Sequence, residues 1–222
     1  MQQQHETAYR FGYAQGDLAS SEGRSKLFGL IARHRPMDVW VSPDCGPWSS
    51  WSHLNASRSL EHQHHYEQVR KELLYQIAIC IVLFRHQIEN HRHFHWEQPA
   101  KSLMFAHPGL AEVHQHTYAC QFDMCTAGNL RDPQNGMFMK KGMTILTTRK
   151  HVYSHLHGMT CNHQHVHQPM EGSIMTSQGS MLRTKFSAIY PRKFARTVVR
   201  LLRQDDTSAF AALARRQRPT FV

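Results

Sequence analysis

The sequence predicts an α/β fold in which helices cover both faces of a mostly parallel sheet. Short apolar runs with strand character alternate with longer segments of helical periodicity, and this order is typical of parallel strands joined by crossover helices. The 222 residues are enough for one full domain with a sizeable core. Apolar residues make up 41% and aromatic residues 10% of the chain, so wholesale disorder is not expected.

The first half of the chain is predicted to supply two helices and two strands. In chain order they are a helix from Glu22 to before Pro36, a strand at 39–41, a helix at 57–89 and a strand at 94–96. Ser20 or Ser21 can cap the first helix. The segment 57–89 lacks proline and glycine, and its apolar residues recur at helical spacing from position 73 onward. This pattern predicts a helix whose second half is buried.

The second half is predicted to contain shorter elements and a basic helix. They are a helix at 108–114, strands at 118–122 and 144–147, a helical turn at 151–157 and a helix at 191–203. The basic face of the last helix could follow a phosphate backbone, or it could form only the solvated side of an amphipathic helix. We expect residues 1–204 to form one domain and residues 205–222 to form a weakly ordered basic tail.

The charge and cysteine content indicate the environment of the protein. A net charge of +10, with histidines counted as neutral, favours an anionic partner such as nucleic acid, although many basic proteins are simply soluble. The five cysteines follow no apolar N-terminal segment, so we expect a reducing intracellular location, nuclear or cytoplasmic. The longest apolar run, 77–84, is too short to span a membrane, so no membrane partner is expected.

One cysteine lies in an unusual place. Residues 42–49 read Ser-Pro-Asp-Cys-Gly-Pro-Trp-Ser, which puts Cys45 in a tight loop directly after the strand at 39–41. The carboxyl end of a strand is where open α/β sheets place their ligand crevice. Cys45 is therefore a candidate nucleophile. The alternative is a turn in which this cysteine only packs, as most free cysteines do.

The order of motifs resembles cytosine-5 DNA methyltransferases, and most closely the methyltransferase-like modules of protist retroelement polyproteins. Residues 43–49 resemble the family's proline-cysteine loop with its following aromatic-serine pair. Residues 96–99, Trp-Glu-Gln-Pro, resemble the family's glutamate motif at the end of the next strand. Residues 161–167 and 188–191 resemble the cysteine-histidine region and the Ala-Ile-Tyr-Pro-like segment of the retroelement modules.

The resemblance implies a Rossmann-like sheet that is incomplete at the N-terminus, because the family's glycine-rich cofactor loop is not found. It implies S-adenosylmethionine as cofactor, with Asp17 and Pro43 beside it. It also implies that Cys45 adds to C6 of a flipped cytosine while Glu97 acts as an acid at ring N3. The residues expected to contact nucleic acid, DNA in this family, are Trp48, Ser49, Lys140 and Lys141. Trp48 could stack on a base, or it could simply cover the cysteine loop.

The chain also departs from the family pattern at the nucleophile loop. Asp44 stands where the family usually has proline. A neighbouring carboxylate raises the pKa of a cysteine and so reduces the thiolate fraction. Lys140 and Lys141 stand roughly where the family carries an arginine pair.

A second candidate site lies in the subregion 118–172. Cys120, Cys125, Cys161 and His163 offer three thiols and an imidazole, which could form a tetrahedral zinc site. The alternative is a buried strand cysteine at Cys120 and a solvated histidine-rich loop. Two functions therefore stay open. One is an S-adenosylmethionine-dependent cytosine-5 methyltransferase-like domain, degenerate or truncated if inactive, and the other is a non-catalytic, zinc-stabilised nucleic-acid-binding module derived from a retroelement.

Overall fold

Four strands form the central sheet of the computed structural model, which describes residues 8–177 and 179–204. They are β1 (Asp38–Val41), β2 (His93–Pro99), β3 (Tyr118–Asp123) and β4 (Gly142–Thr147). Their order across the sheet is β1-β2-β4-β3. A separate hairpin consists of β5 (Ser173–Thr176) and β6 (Gly179–Leu182). All four predicted strands are present, whereas the hairpin was not predicted. The predicted tail at 205–222 lies outside the described residues.

The sheet is mixed rather than mostly parallel. β1 and β2 are parallel, with Val39 beside Phe94, but β4 runs antiparallel to both β2 and β3. The predicted parallel arrangement is therefore wrong for two of the three pairings. A parallel return needs a crossover connection, usually a helix, and the segment between β3 and β4 contains only the single helical turn Met124–Ala127.

Eight α-helices occur within the described residues. They are α1 (Ser21–His34), α2 (Ser50–Ala56), α3 (Leu60–Glu89), α4 (Ala111–His116), α5 (Met124–Ala127), α6 (Lys150–Leu156), α7 (Arg183–Phe186) and α8 (Arg192–Leu202). None of them combines the length and the apolar character that crossing a bilayer requires. Short 3₁₀ turns occupy Gly46–Trp48, Leu103–Ala106 and Pro108–Leu110. The predicted helix at 108–114 is thus a 3₁₀ turn followed by α4.

The two long helices begin at serine caps. The Ser20 hydroxyl accepts a hydrogen bond from the backbone N–H of Gly23 at 2.9 Å, which confirms the predicted cap of α1. Ser59 caps α3 in the same way through His62, so the predicted helix at 57–89 begins three residues late, at Leu60, and ends at Glu89 as predicted. The buried residues of α3 all lie at or after Ile77, as predicted.

Helices cover both faces of the sheet. Side chains alternate between the faces, so Phe94 and Trp96 join one apolar cluster with α1 and α3. Ile145 and Met143 join the other cluster, which contains residues of α5, α6 and α8. Two-sided covering, as predicted, makes this a mixed α/β fold with a sheet that is buried on both faces.

One edge of the sheet gathers the candidate functional residues. The carboxyl ends of β1, β2 and β3 lie there, and so does the start of β4, because β4 runs in the opposite direction. The register places Met143 beside Pro99 and Gly142 beside Asp123. The loops that follow β1 and β3, and the segment that precedes β4, therefore meet along a single edge.

Candidate active site and metal cluster

The loop after β1 is fastened to β2 by a glutamine. The Gln98 Nε2 atom donates to the carbonyl oxygen of Pro43 at 2.8 Å. The Gln98 Oε1 atom in turn accepts from the Ser102 hydroxyl at 3.0 Å. Because Gln98 is almost fully buried, these bonds hold the two loops in a fixed relation.

Cys45 begins the 3₁₀ turn, and its neighbours hold the loop in place. The Asp44 backbone N–H donates to Gln76 Oε1 on α3 at 2.9 Å. The Asp44 Oδ1 atom accepts from the Gly46 N–H at 2.9 Å. The Asp44 carboxylate is thus tied into the turn beside a half-buried thiol.

The Glu97 carboxylate is buried near the end of β2 and has a tyrosine partner. Its Oε2 atom accepts a hydrogen bond from the Tyr190 hydroxyl at 2.7 Å. The same hydroxyl accepts from Trp40 Nε1 at 3.2 Å, and it lies 3.0 Å from the Ser42 hydroxyl. Burial and the nearby Glu97 charge raise the pKa of Tyr190, so the phenol stays protonated and keeps donating to Glu97.

Lys141 completes the group from the segment before β4. Its Nζ atom donates to the carbonyl oxygen of Ser187 at 3.0 Å, and its charge interacts with both Cys45 and Glu97. Burial lowers the pKa of Lys141. Burial also raises the pKa of Cys45, as do Glu97 and Asp44, while Lys141 acts in the opposite direction. Both groups are therefore shifted toward their neutral forms, which is typical of reactive sites.

The structure brings together three of the predicted site residues: Cys45, Glu97 and Lys141. It does not bring in Lys140, which is exposed and faces the other cluster. Tyr190 was not predicted as a site residue. It lies far from Glu97 in sequence, and the only signal was its place in the segment 188–191, so the contact becomes visible only in the fold.

Trp48 and Ser49 have structural contacts. The Trp48 ring is buried in the apolar cluster with α3, and the Arg70 guanidinium lies 5.6 Å from its centroid. With 7% of its surface exposed, the ring covers the loop in this structure, and its stacking on a nucleic-acid base stays a prediction. The Ser49 hydroxyl lies 2.8 Å from that of Ser52 and accepts from the Ser52 N–H, which places it at the start of α2.

The two residues expected beside S-adenosylmethionine also have local roles. The exposed Asp17 carboxylate accepts from the Ala19 N–H at 2.9 Å and closes a turn before α1. The Pro43 carbonyl already accepts from Gln98. Each of these atoms accepts a hydrogen bond within the chain, and nothing in the described residues supports a site for S-adenosylmethionine beside them.

Two cysteines and two histidines form a compact cluster at the neighbouring end of the same sheet edge. The donor atoms of Cys125, Cys161, His165 and His167 all lie within 4.8 Å of one another. Cys161 Sγ is 3.5 Å from His165 Nε2 and 3.4 Å from His167 Nε2. Ligands placed tetrahedrally around one zinc ion would put sulfur and nitrogen about 3.6 Å apart. The cluster therefore has the size of a site that could hold a metal ion.

Neighbouring groups orient these ligands. Cys125 lies in α5, directly after β3, and Cys161 lies in the loop after α6. The Asp123 Oδ2 atom accepts from the Cys161 N–H at 2.8 Å. The Phe138 ring packs against that of His165, with their centroids 4.0 Å apart. Supporting contacts of this kind fix the direction in which metal ligands point.

Of the four predicted zinc ligands, Cys125 and Cys161 belong to the cluster that could hold a metal ion, whereas Cys120 and His163 lie outside it. Cys120 is fully buried within β3, where burial raises the pKa of its thiol to about 12. Its side chain points into the apolar core because β3 is still a strand at that position. His163 turns away at φ 60°, and its Nε2 atom lies 3.1 Å from Lys140 Nζ. The cluster histidines, His165 and His167, lie in the same alternating stretch as His163, and their spacing in the sequence does not distinguish them from it.

Comparisons with known proteins give no match: no family model, no curated protein and no solved structure corresponds to this chain. Conclusions about function therefore rest on the geometry of the two sites.

Proposed function

We propose that the chain is a methyltransferase-like domain in which Cys45 adds covalently to a cytosine base of nucleic acid. The observation that carries this proposal is the convergence of the Cys45 thiol, the Glu97 carboxylate and the Lys141 amine at the sheet edge where β1 and β2 end and β4 begins. The parallel pair β1–β2, with functional groups at its carboxyl ends, is the part of the sheet that supports a Rossmann-like interpretation.

The proposed reaction is the addition of a thiol across the C5–C6 double bond of cytosine. Cys45 must first lose its proton, and Lys141, whose pKa is lowered by burial, is the group placed to accept it. The Sγ–C6 bond then forms, the π electrons move to C5, and C5 takes up a proton from water while Lys141 keeps the proton of the thiol. One proton and one sulfur have then been added to the ring.

Glu97 would hold the base during this addition. Its Oε2 atom is bonded to Tyr190, which leaves Oε1 to meet ring N3. Because Glu97 is 7% exposed, the base has to leave the nucleic-acid stack and enter the crevice. The resemblance implies that methyl transfer to C5 follows, but no observation in the described residues supports a site for S-adenosylmethionine, so the proposed mechanism ends at the adduct.

The adduct can be trapped with an oligonucleotide that contains 5-azacytosine, whose ring nitrogen at position 5 takes up the proton. We expect the full chain to gain the mass of the oligonucleotide under denaturing conditions. Cys45→Ser removes the nucleophile and should abolish the adduct. The matched control Cys80→Ala removes a buried thiol of α3 and should leave adduct formation unchanged. An adduct that persists in Cys45→Ser would overturn the assignment.

A second candidate function is a non-catalytic nucleic-acid-binding module, which the charge distribution favours. α8 starts two residues after Tyr190 and carries four exposed cationic side chains: Arg192, Lys193, Arg196 and Arg200. Two thiols and two imidazoles are the donor set of structural zinc sites, so zinc is the ion we propose for the Cys125 cluster. In this function Cys45→Ser would bind nucleic acid as tightly as the unmodified chain, in a salt-dependent manner, and neither protein would form an adduct.

A further inference from the structure

Two consecutive lysines join the metal cluster to the Cys45 crevice. Lys140 Nζ lies 3.1 Å from His163 Nε2, within the loop that carries three of the cluster residues, and 3.7 Å from Asp123 Oδ2. Lys141 points to the other side, where its charge interacts with Cys45 and Glu97. A displacement of one lysine would therefore be passed to the next through a single peptide unit.

The backbone strengthens this connection. The Met124 N–H, one residue before Cys125, donates to the carbonyl oxygen of Lys141 at 2.8 Å. Asp123 pairs with Gly142 in the sheet and also accepts from the Cys161 N–H. Asp123 and Met124, the two residues before Cys125, are thus tied to Gly142 and Lys141, and Asp123 also holds Cys161.

The loop that supplies three of the ligands has no regular secondary structure. Residues 157–172 contain no helix or strand, and individual contacts hold them, such as the hydrogen bond from the Gln168 N–H to the Phe138 carbonyl oxygen at 2.7 Å and the packing of Met159 and Met170 against the apolar cluster. Cys161 is the buried member of the loop's three ligands. A metal ion is the kind of ligand that organises such a segment, because binding free energy becomes folding free energy.

We propose that Zn²⁺ bound by Cys125, Cys161, His165 and His167 is a structural clasp that holds Lys141 in the crevice and so sets the reactivity of Cys45. This role rests on the proposed function for the importance of Cys45, but the zinc site itself does not. Binding of Zn²⁺ displaces the protons of the two thiols, so the ion and the two thiolates together are neutral.

The first measurement is the metal content of the full-length chain and the spectrum of its cobalt-substituted form. We expect one zinc per chain, and for cobalt a tetrahedral spectrum with thiolate charge-transfer bands. Cys125→Ser should reduce zinc content at least tenfold. His163→Asn is the matched control, because it changes a histidine of the same loop that is not a ligand, and asparagine tolerates the left-handed backbone at this position. Equal zinc content in Cys125→Ser and the unmodified chain would overturn the site.

The second measurement is the alkylation rate of Cys45, followed by peptide mass spectrometry with zinc bound and after chelation. We expect removal of zinc to slow alkylation several-fold, and Lys141→Met with zinc bound to slow it by a similar factor. An unchanged rate after zinc removal would overturn the clasp. If zinc controls alkylation but the 5-azacytosine adduct does not form, the clasp stands and the proposed reaction fails.

The buried Cys80 thiol serves as a monitor of folding in the same experiment. If chelation also makes Cys80 reactive, the domain has unfolded. The Cys45 alkylation rate is then compared between variants that all have zinc bound. There Lys140→Met removes the contacts to His163 and Asp123 without touching a ligand. The clasp predicts slower Cys45 alkylation in Lys140→Met than in the unmodified chain, and equal rates would overturn it.

Discussion

Both ends of the β1–β2 pair bury ionisable groups. These groups form ion pairs at one end and are shifted toward their neutral forms at the other. At the amino end of β1, Asp38 accepts two hydrogen bonds from Arg149, at 2.6 and 2.8 Å, and lies 3.0 Å from His95 Nε2. Burial alone would raise the pKa of Asp38, but these partners outweigh it and lower that pKa to about 2. This end is a closed network in which charges are fully paired.

At the carboxyl end, the ionisable groups of the described residues do not form a bidentate ion pair of this kind. There the pKa of Cys45 is raised and the pKa of Lys141 is lowered, in both cases mainly by burial. Trp40 lies between the two ends, since its ring stacks on His95 at 5.4 Å and its Nε1 atom donates to Tyr190. The difference indicates that the ion-paired end of the pair stabilises the fold, while burial at the other end shifts Cys45 and Lys141 toward their neutral forms, and shifted pKa values of this kind are common at functional sites.

The largest effect on stability is expected from disrupting the Asp38–Arg149 ion pair at the amino end of β1. Arg149→Met leaves the Asp38 carboxylate without its bidentate partner in a largely buried position, and such a loss costs about 3–5 kcal/mol. Urea denaturation should show this fall in the free energy of unfolding. The exposed Lys193→Met is the control and should change it by less than about 0.5 kcal/mol. If the free energy of unfolding of Arg149→Met changed as little as that of the control, the Asp38 network would not stabilise the fold.

The pH dependence of stability should reveal the same network. Burial lowers the pKa of His95, so the folded protein favours neutral histidine while the unfolded chain titrates near pH 6.5. The stabilisation is therefore present above that pH and is lost as pH falls toward the folded pKa, by up to about 1.4 kcal/mol per pH unit. Asp38 adds a further loss as pH falls from its unfolded pKa toward about 2.

Urea midpoints measured between pH 8 and pH 5 check this sign. The midpoint should be flat above pH 7 and should fall below pH 6.5. His95→Gln keeps a donor for Asp38 but does not titrate, so its midpoint should change less over the same range. A midpoint that rises as pH falls would mean that His95 is charged in the folded state.

Local sequence patterns were sufficient to predict much of the fold and two residues of the crevice, Cys45 and Glu97. The Ser20 cap and the spacing of apolar residues in α3 are local, and both were predicted. Cys45 and Glu97 meet because they lie at the ends of two adjacent parallel strands, which strand order along the chain already indicated. The direction of β4 was not predictable in this way, because it depends on how the chain returns after β3.

The remaining site residues depend on where side chains point after folding. Lys140 and Lys141 are adjacent in sequence, yet they face different clusters, and no local pattern separates them. Cys120 matched the spacing of a zinc ligand but faces the core. His165 and His167 became ligand candidates only through the path of an irregular loop.

The smallest effect is expected at the carboxyl end of the pair. It tests whether the charge of the Asp44 carboxylate affects the pKa of the Cys45 thiol. Asp44→Asn removes a carboxylate that raises the pKa of Cys45, and the amide oxygen can still accept from the Gly46 N–H. We expect the pKa of Cys45 to fall and its alkylation at pH 7.5 to become about two- to fivefold faster, since one pKa unit corresponds to about 1.4 kcal/mol. The pH profile of alkylation measures this shift. The urea midpoint should stay unchanged, because the turn is preserved, so a faster reaction at equal stability would assign the effect to charge. A rate equal to that of the unmodified chain would instead mean that burial alone determines the state of the Cys45 thiol.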